Sequence, residues 1–361
     1  MPDLKKLGWT DFFAQSFEPF RKQGFKIGRV AIENRDCYSV LTAEGEVTAE
    51  VAGKLLFTRE SAADLPKVGD WAVMLQFEAS ERAIIQEILP RKTKLSRKVA
   101  GKKFDEQVLA TNIDVIFVVQ SLDDNFNIRR LERTLVMVNE SGAQAVVILN
   151  KTDLSDSVKR LVAEAKSVAG GVDVLAMSAK KDRGLRPLKK YIKEGKTFAF
   201  IGSSGVGKST LINSIVGEDV QLTREVRADA KGRHTTTRRE LVLVPGGGCL
   251  IDTPGMRELQ LWHADEGLTE TFTDIEELAT HCHFSDCTHT KAVKCAVLAA
   301  VENGDLARER YDSYMKLQQE LKFLESKQTA AGYAENRRRQ RSQGKLYKQI
   351  QAEQRKRKKK M

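Results

Sequence analysis

Between residues 25 and 100 the chain alternates apolar and polar positions in short runs. The runs are FKIGRVAIE, CYSVLTAEGEVTAEV, KLLF, DWAVMLQF and AIIQEIL, broken by turn signals such as AEGE and PKVGD. A period of two marks half-buried strands, and clusters of Gly, Pro and acidic residues mark the turns between them. Five or so such strands in one short stretch predict a small all-β barrel of the OB type. Residues 1–24 carry Trp9, Phe12, Phe13, Phe17 and Phe20 and predict a helical arm that docks ahead of the barrel. The segment LPRKTKLSRKVAGKK, residues 89–103, reads as a basic linker.

From 105 to 264 the pattern changes. NIDVIFVVQSL, AQAVVILNKTD, VDVLAMSAK and KTFAFIGSSG each run from an apolar strand into a polar loop, and RELVLVPGGGCLIDTPG adds two further strands. Helix-like stretches such as NIRRLERTLVMVNESG and DSVKRLVAEAKSVAGG lie between them. This alternation predicts an α/β domain on a mainly parallel sheet, with ligands at the carboxyl ends of its strands. Residues 265–325 read as helical and hold a cysteine cluster. Residues 326–361 form a basic tail.

Charge and composition change this picture in two places. The chain has a net charge of +11, yet residues 337–361 hold twelve Lys/Arg against one acid, Glu353, so everything before them is neutral. A chain end of that kind suits a polyanion such as RNA, although a solvated tail has the same composition. Five cysteines, three of them within 282–295, argue for a local metal site in a reducing compartment rather than a disulfide framework. No uncharged apolar run approaches the roughly 18–20 residues of a membrane span, and the N-terminus lacks a secretory apolar core. A cytoplasmic chain with no membrane partner is therefore expected.

The strand ends carry the chemistry. Gly202, Ser203, Ser204, Gly205, Val206, Gly207, Lys208 and Ser209, followed by Thr210, satisfy the phosphate-loop pattern G-x-x-x-x-G-K-[ST] between a β-rich run and a helical stretch. In that pattern backbone N–H groups surround phosphate oxygens, Lys208 reaches the β- and γ-phosphates, and Ser209 ligates Mg²⁺. Asp252 and Gly255 belong to DTPG, which fits a strand-end Asp that holds Mg²⁺ through water, although such a tetrapeptide is also a common turn. Asn150, Lys151, Thr152 and Asp153 follow AVVIL. The Asp153 carboxylate accepts from guanine N1–H and N2–H₂, which adenine cannot offer. Asn150 can bond the base edge, and the Lys151 stem can lie on the ring. Ser178, Ala179 and Lys180 end another strand, where a backbone N–H can meet guanine O6. GTP or GDP is the expected ligand.

The residue after Gly255 is Met256, which cannot orient a water. The run GRHTTT supplies His234 for that role, with a surface-loop position as the alternative reading. Thr236 or Thr237 is expected to meet Mg²⁺ and the γ-phosphate. Arg233, Arg238 and Arg239 either neutralise transition-state charge or form salt bridges. Separately, Cys282-x₄-Cys287-x-His289-x₅-Cys295 supplies three thiolates and one imidazole, a closed tetrahedral set for one structural Zn²⁺, with His281 and His283 as competing ligands.

The motif order is NKTD, SAK, phosphate loop, GRHTTT, DTPG, a circular permutation of the usual GTPase order. With the barrel before it and the zinc-type cluster after it, the chain resembles the ribosome small-subunit-dependent GTPase A family (RsgA, also called YjeQ). The resemblance runs from about residue 25 to 325 and rests on GSSGVGKST, GRHTTT and DTPG. It implies a monomeric, late-acting assembly factor of the small ribosomal subunit, with GTP hydrolysis stimulated by the subunit. It further implies rRNA contacts through the barrel and zinc module, and His234 as the catalytic group. Two rival readings stay open: an assembly GTPase of the large subunit, and an RNA-binding or remodelling protein that uses GTP only as a binding switch.

Overall fold

The computed structural model describes residues 3–35, 37–76, 82–99, 105–216, 239–245, 247–252, 261–262, 264–291 and 293–326. His234, Thr236, Thr237, Gly255 and the basic run 337–361 lie outside the described residues.

Alternation along the first strands builds a barrel. Strands β1 (Lys26–Glu33), β2 (Tyr38–Leu41), β3 (Glu46–Val51), β4 (Trp71–Gln76) and β5 (Arg82–Ile88) pair in the order β1-β2-β3-β5-β4, and β4 pairs back onto β1. The β3–β5 pair is parallel and the others are antiparallel. Every second residue points inward, so Val40, Val47, Ala49, Met74 and Ile85 fill the interior. The run KLLF, expected as a strand, is instead part of helix α2 (Gly53–Thr58). Only its Leu55 is buried, while Phe57 stands 91% exposed. A run of three apolar residues has no period to betray its conformation.

The arm forms helix α1 (Asp11–Arg21), whose buried face is Phe13 and Phe17. Trp9 and Phe13 pack on Trp71 of the barrel, with ring centroids 4.6 and 5.7 Å apart. The segment read as a linker contains strand β6 (Lys94–Lys98), which pairs antiparallel with β7 (Glu106–Thr111). Leu95 of β6 and Val108, Leu109 and Ala110 of β7 are buried, so the pair has a core-facing side despite its lysines.

The α/β part contains β8 (Val115–Ser121), α3 (Ile128–Glu140), β9 (Gln144–Asn150), α4 (Val158–Val168), β10 (Asp173–Ala176), β11 (Thr197–Ile201), α5 (Lys208–Val216), β12 (Glu240–Leu243) and β13 (Cys249–Asp252). Strands β10, β9, β8, β11 and β13 are parallel in that spatial order. β12 is antiparallel to β13 and meets β1 through Ile32 and Glu240, so barrel and α/β sheet are continuous. Buried Arg29 reinforces the junction. Its guanidinium donates to Leu7 O, Gly69 O, Asn112 O and the Thr197 hydroxyl, tying arm, barrel and β11 together.

Helices α6 (Asp265–Thr271), α7 (Thr273–Ala279) and α8 (Ala296–Asn303) follow, and residues 308–326 are helical (α9). They join the α/β part through a buried charge cluster. Arg310 pairs with Glu132 of α3 at 2.8 Å and with Asp274 of α7 at 2.7 Å. Arg133 pairs with Glu320 at 2.6 Å.

Candidate active site and metal centre

Parallel strands β9, β8 and β11 are neighbours, so their carboxyl ends bring three loops together: NKTD after β9, residues 122–127 after β8, and the glycine-rich loop after β11. Gly202 begins that loop at φ +152°, and a Cβ there would stand 2.3 Å from Val119 O of β8. Gly207 has φ +95°, and its Cβ would meet Asn150 Nδ2 at 2.3 Å. Both positions demand glycine because of backbone conformation and close approach together. Lys208 Nζ donates to Gly202 O at 2.6 Å and Ser203 O at 2.7 Å, which puts its ammonium at the mouth of the loop. Ser209 and Thr210 stand exposed at the start of α5.

Asn150, 2% exposed, joins two of the expected motifs. Its amide donates to Val206 O at 2.9 Å, and its carbonyl accepts from Ala179 N–H at 3.0 Å. This backbone-bridging task uses one amide N–H and the carbonyl, and it stands beside the base-edge bond expected from the sequence. Asp153 accepts from the Ser178 hydroxyl, which holds its carboxyl below the ordinary value. Thr152 N–H donates to Met177 O at 3.1 Å, so NKTD and SAK form one unit. Lys180 is exposed beside it. Asp252 ends β13, two strands from β8.

Two polar residues that the motif reading passed over sit between these loops. Lys151, in the left-handed conformation at φ +61°, places its ammonium 2.8 Å from the Asp123 carboxylate. Burial pushes that carboxyl up, but bonds from Lys151, Ser121 and Asn125 N–H outweigh it and hold it at about 2. Asn125 Nδ2 donates to Ser203 Oγ at 3.1 Å. The signal was present in the sequence: SLDDN is a polar run at the end of an apolar strand, as NKTD and SAK are.

The second site lies among the C-terminal helices. Ligand atoms of Cys282, Cys287, His289 and Cys295 all fall within 4.8 Å of one another. Zn–S near 2.3 Å and Zn–N near 2.0–2.1 Å in a tetrahedron require S···S edges of about 3.8 Å and S···N edges of about 3.5 Å. The Cys282–Cys295 sulfurs are 3.8 Å apart, and His289 Nδ1 lies 3.6 and 3.5 Å from them. The donor set therefore fits zinc in geometry as well as chemistry. Burial pushes the His289 imidazole below its ordinary value and favours the neutral form that ligates metal. His281 bonds Glu277 O and His283 packs on Phe284, so both stand outside the set.

Strand-end loops on a parallel sheet, a glycine-rich loop opening a helix and NKTD placed upstream of it define a circularly permuted P-loop GTPase. A family model for the RsgA GTPase matches residues 88–262. A second model, for the ABC transporter, matches 185–345, a stretch that shares the glycine-rich loop but omits NKTD. The small ribosomal subunit biogenesis GTPase RsgA of Opitutus terrae is 46% identical over 330 residues, covering 89% of this chain and 90% of that one. The crystal structure of YjeQ from Thermotoga maritima superposes with a TM-score of 0.62 at 28% identity, over 82% of this chain and 98% of that one. That of YloQ, described as a circularly permuted GTPase, gives 0.59 at 27%, over 82% and 95%. The chain belongs to the RsgA GTPase family, and it is a GTP-hydrolysing enzyme.

Proposed function

We propose that this chain hydrolyses GTP to GDP and phosphate as a biogenesis factor of the small ribosomal subunit, with turnover stimulated by the subunit. The observation that carries the reading is Asn150, whose single amide ties the base-reading motif, the SAK loop and the phosphate loop into one site. Asp153 reads the guanine N1–H and N2–H₂, Lys151 covers the ring, and a backbone N–H of the SAK loop meets O6. Backbone N–H groups of 203–208 and the α5 N-terminus hold the phosphates, and Lys208 swings from its own loop onto the β- and γ-oxygens. Ser209 and Thr236 or Thr237, with Asp252 through water, would hold Mg²⁺, which would supply positive charge to those oxygens. His234 orients the attacking water.

Zn²⁺ at Cys282, Cys287, His289 and Cys295 is structural in this reading, one ion per chain. The functional units are an arm (1–24), a barrel (25–100), the permuted GTPase domain (105–264), the zinc module (265–325) and the tail (326–361). Barrel, zinc module and tail meet rRNA, and the chain works as a cytoplasmic monomer. Among the described residues no helix is long and apolar enough to cross a membrane.

The test is GTP turnover by the full chain alone, with small subunits and with large subunits. Strong stimulation by small subunits alone is expected. Stimulation by large subunits alone overturns the assignment of the partner, and tight GTP binding with no turnover in any mixture makes the nucleotide a binding switch.

A further inference from the structure

The loop after β8, residues 122–127, touches both ends of the nucleotide site and is itself held at every turn. Ser121 Oγ donates to Asp123 Oδ1 at 2.6 Å, and Asn125 N–H donates to the same oxygen at 3.0 Å. Arg130 of α3 donates to Asn125 O. Gln120 closes the loop with a pair of 3.2 Å bonds to the backbone of Asn127. Asp123 faces Lys151, on the base side. Asn125 faces Ser203, whose carbonyl oxygen receives Lys208, the residue that reaches the β- and γ-phosphates in phosphate-loop proteins. Asn125 and Lys208 thus grip one residue from two sides, at the end of the site where the last phosphate belongs.

An amide carries two N–H donors. The Ser203 hydroxyl takes one at 3.1 Å, and the other contact, to Ser204 O, is 3.5 Å, the long limit of a hydrogen bond. A charged phosphate oxygen is a stronger acceptor than that carbonyl. Resting on the GTPase reading above, we propose that Asn125 is a specificity-determining residue: its amide fixes Ser203 and gives its second N–H to the γ-phosphate, so that it favours GTP over GDP.

The test is titration of the full-length chain with fluorescent GDP and with the β,γ-imido analogue of GTP. Asn125→Ala should raise the analogue's Kd about tenfold, which is about 1.4 kcal/mol, and leave the Kd for GDP within about twofold. Asn125→Asp keeps the shape but places a carboxylate against the phosphate, so it should lose the analogue more severely than Asn125→Ala while still binding GDP. Equal losses of both nucleotides in Asn125→Ala would reduce Asn125 to a scaffold of the loop, and unchanged affinities would remove it from the site; either result overturns the proposal alone. A wild-type chain that binds neither guanine nucleotide overturns the GTPase reading and this proposal with it.

Discussion

Asn150 shows how much one side chain can settle. This Asn is buried and bonded at both ends to backbone of two other loops, with the second N–H of its amide left over for a base edge. Truncation removes two hydrogen bonds and leaves Val206 O and Ala179 N–H to find new partners. At about 1 kcal/mol net for each bond, Asn150→Ala should weaken GTP and GDP alike by roughly thirtyfold. Equilibrium titration with both nucleotides checks this. A variant that bound as tightly as before but no longer preferred guanine over adenine nucleotides would mark Asn150 as a base reader instead.

Among the elements, the loop that carries the metal ligands has neither helix nor strand in its described residues. His289 sits there at φ +53°, a conformation that a non-glycine residue adopts only when its surroundings impose it. Tyr311 OH donates to His289 O at 2.7 Å, and Cys295 caps α8 by accepting from Leu298 N–H. Removing zinc should therefore loosen the start of α8 and its packing on α7 and leave the parallel sheet intact. Metal analysis should find about one zinc per chain. After chelation, hydrogen exchange should rise across 280–303 and stay unchanged in β8, β9 and β11; uniform exchange throughout, or no zinc at all, would contradict this. These elements also show what the sequence could disclose. The glycine-rich loop, NKTD and the C-x₄-C-x-H-x₅-C spacing are legible because their chemistry fixes residue type and spacing together. KLLF and the 89–103 segment read as strand and linker, wrongly, because three apolar residues have no period and because lysines hide the buried Leu95. Asp123 and Asn125 show only as a polar run at a strand end, with no fixed residue type and spacing, and their role comes from strand order, which places the end of β8 between those of β9 and β11.

At the scale of the whole molecule, α3 belongs to two neighbourhoods. Its Asn127 cap follows directly on the loop at the nucleotide site, and its Glu132, fully buried, accepts from Arg129, Arg310 and Ser313. Arg310 also stacks over Phe272 at 4.4 Å. Taking one partner from a buried ion pair costs about 3–5 kcal/mol, whereas replacing both by apolar groups of similar size is often neutral. Arg310→Ala, which leaves Arg129 as the remaining cation beside Glu132, should thus lose about 3 kcal/mol. The double variant Glu132→Met with Arg310→Met should recover most of that loss. Urea unfolding of the three proteins checks the pattern, and additive losses in the double variant would refute it.

The same cluster bears on how shortened forms of this chain should be interpreted. A chain ended at 264 would lose Arg310, Ser313 and Asp274 together but keep Glu132, whose carboxylate has no exposure in the intact protein. That fragment keeps only Arg129 beside Glu132 and admits water into the space beneath α3, so the helix that begins beside the phosphate loop loses its packing there. Reduced turnover in the fragment would then record injury to the enzyme's interior, and could not be credited to a lost ribosome-binding surface. Point changes on the outer face of the zinc module, which leave Arg310 in place, are the sounder way to ask what that module recognises.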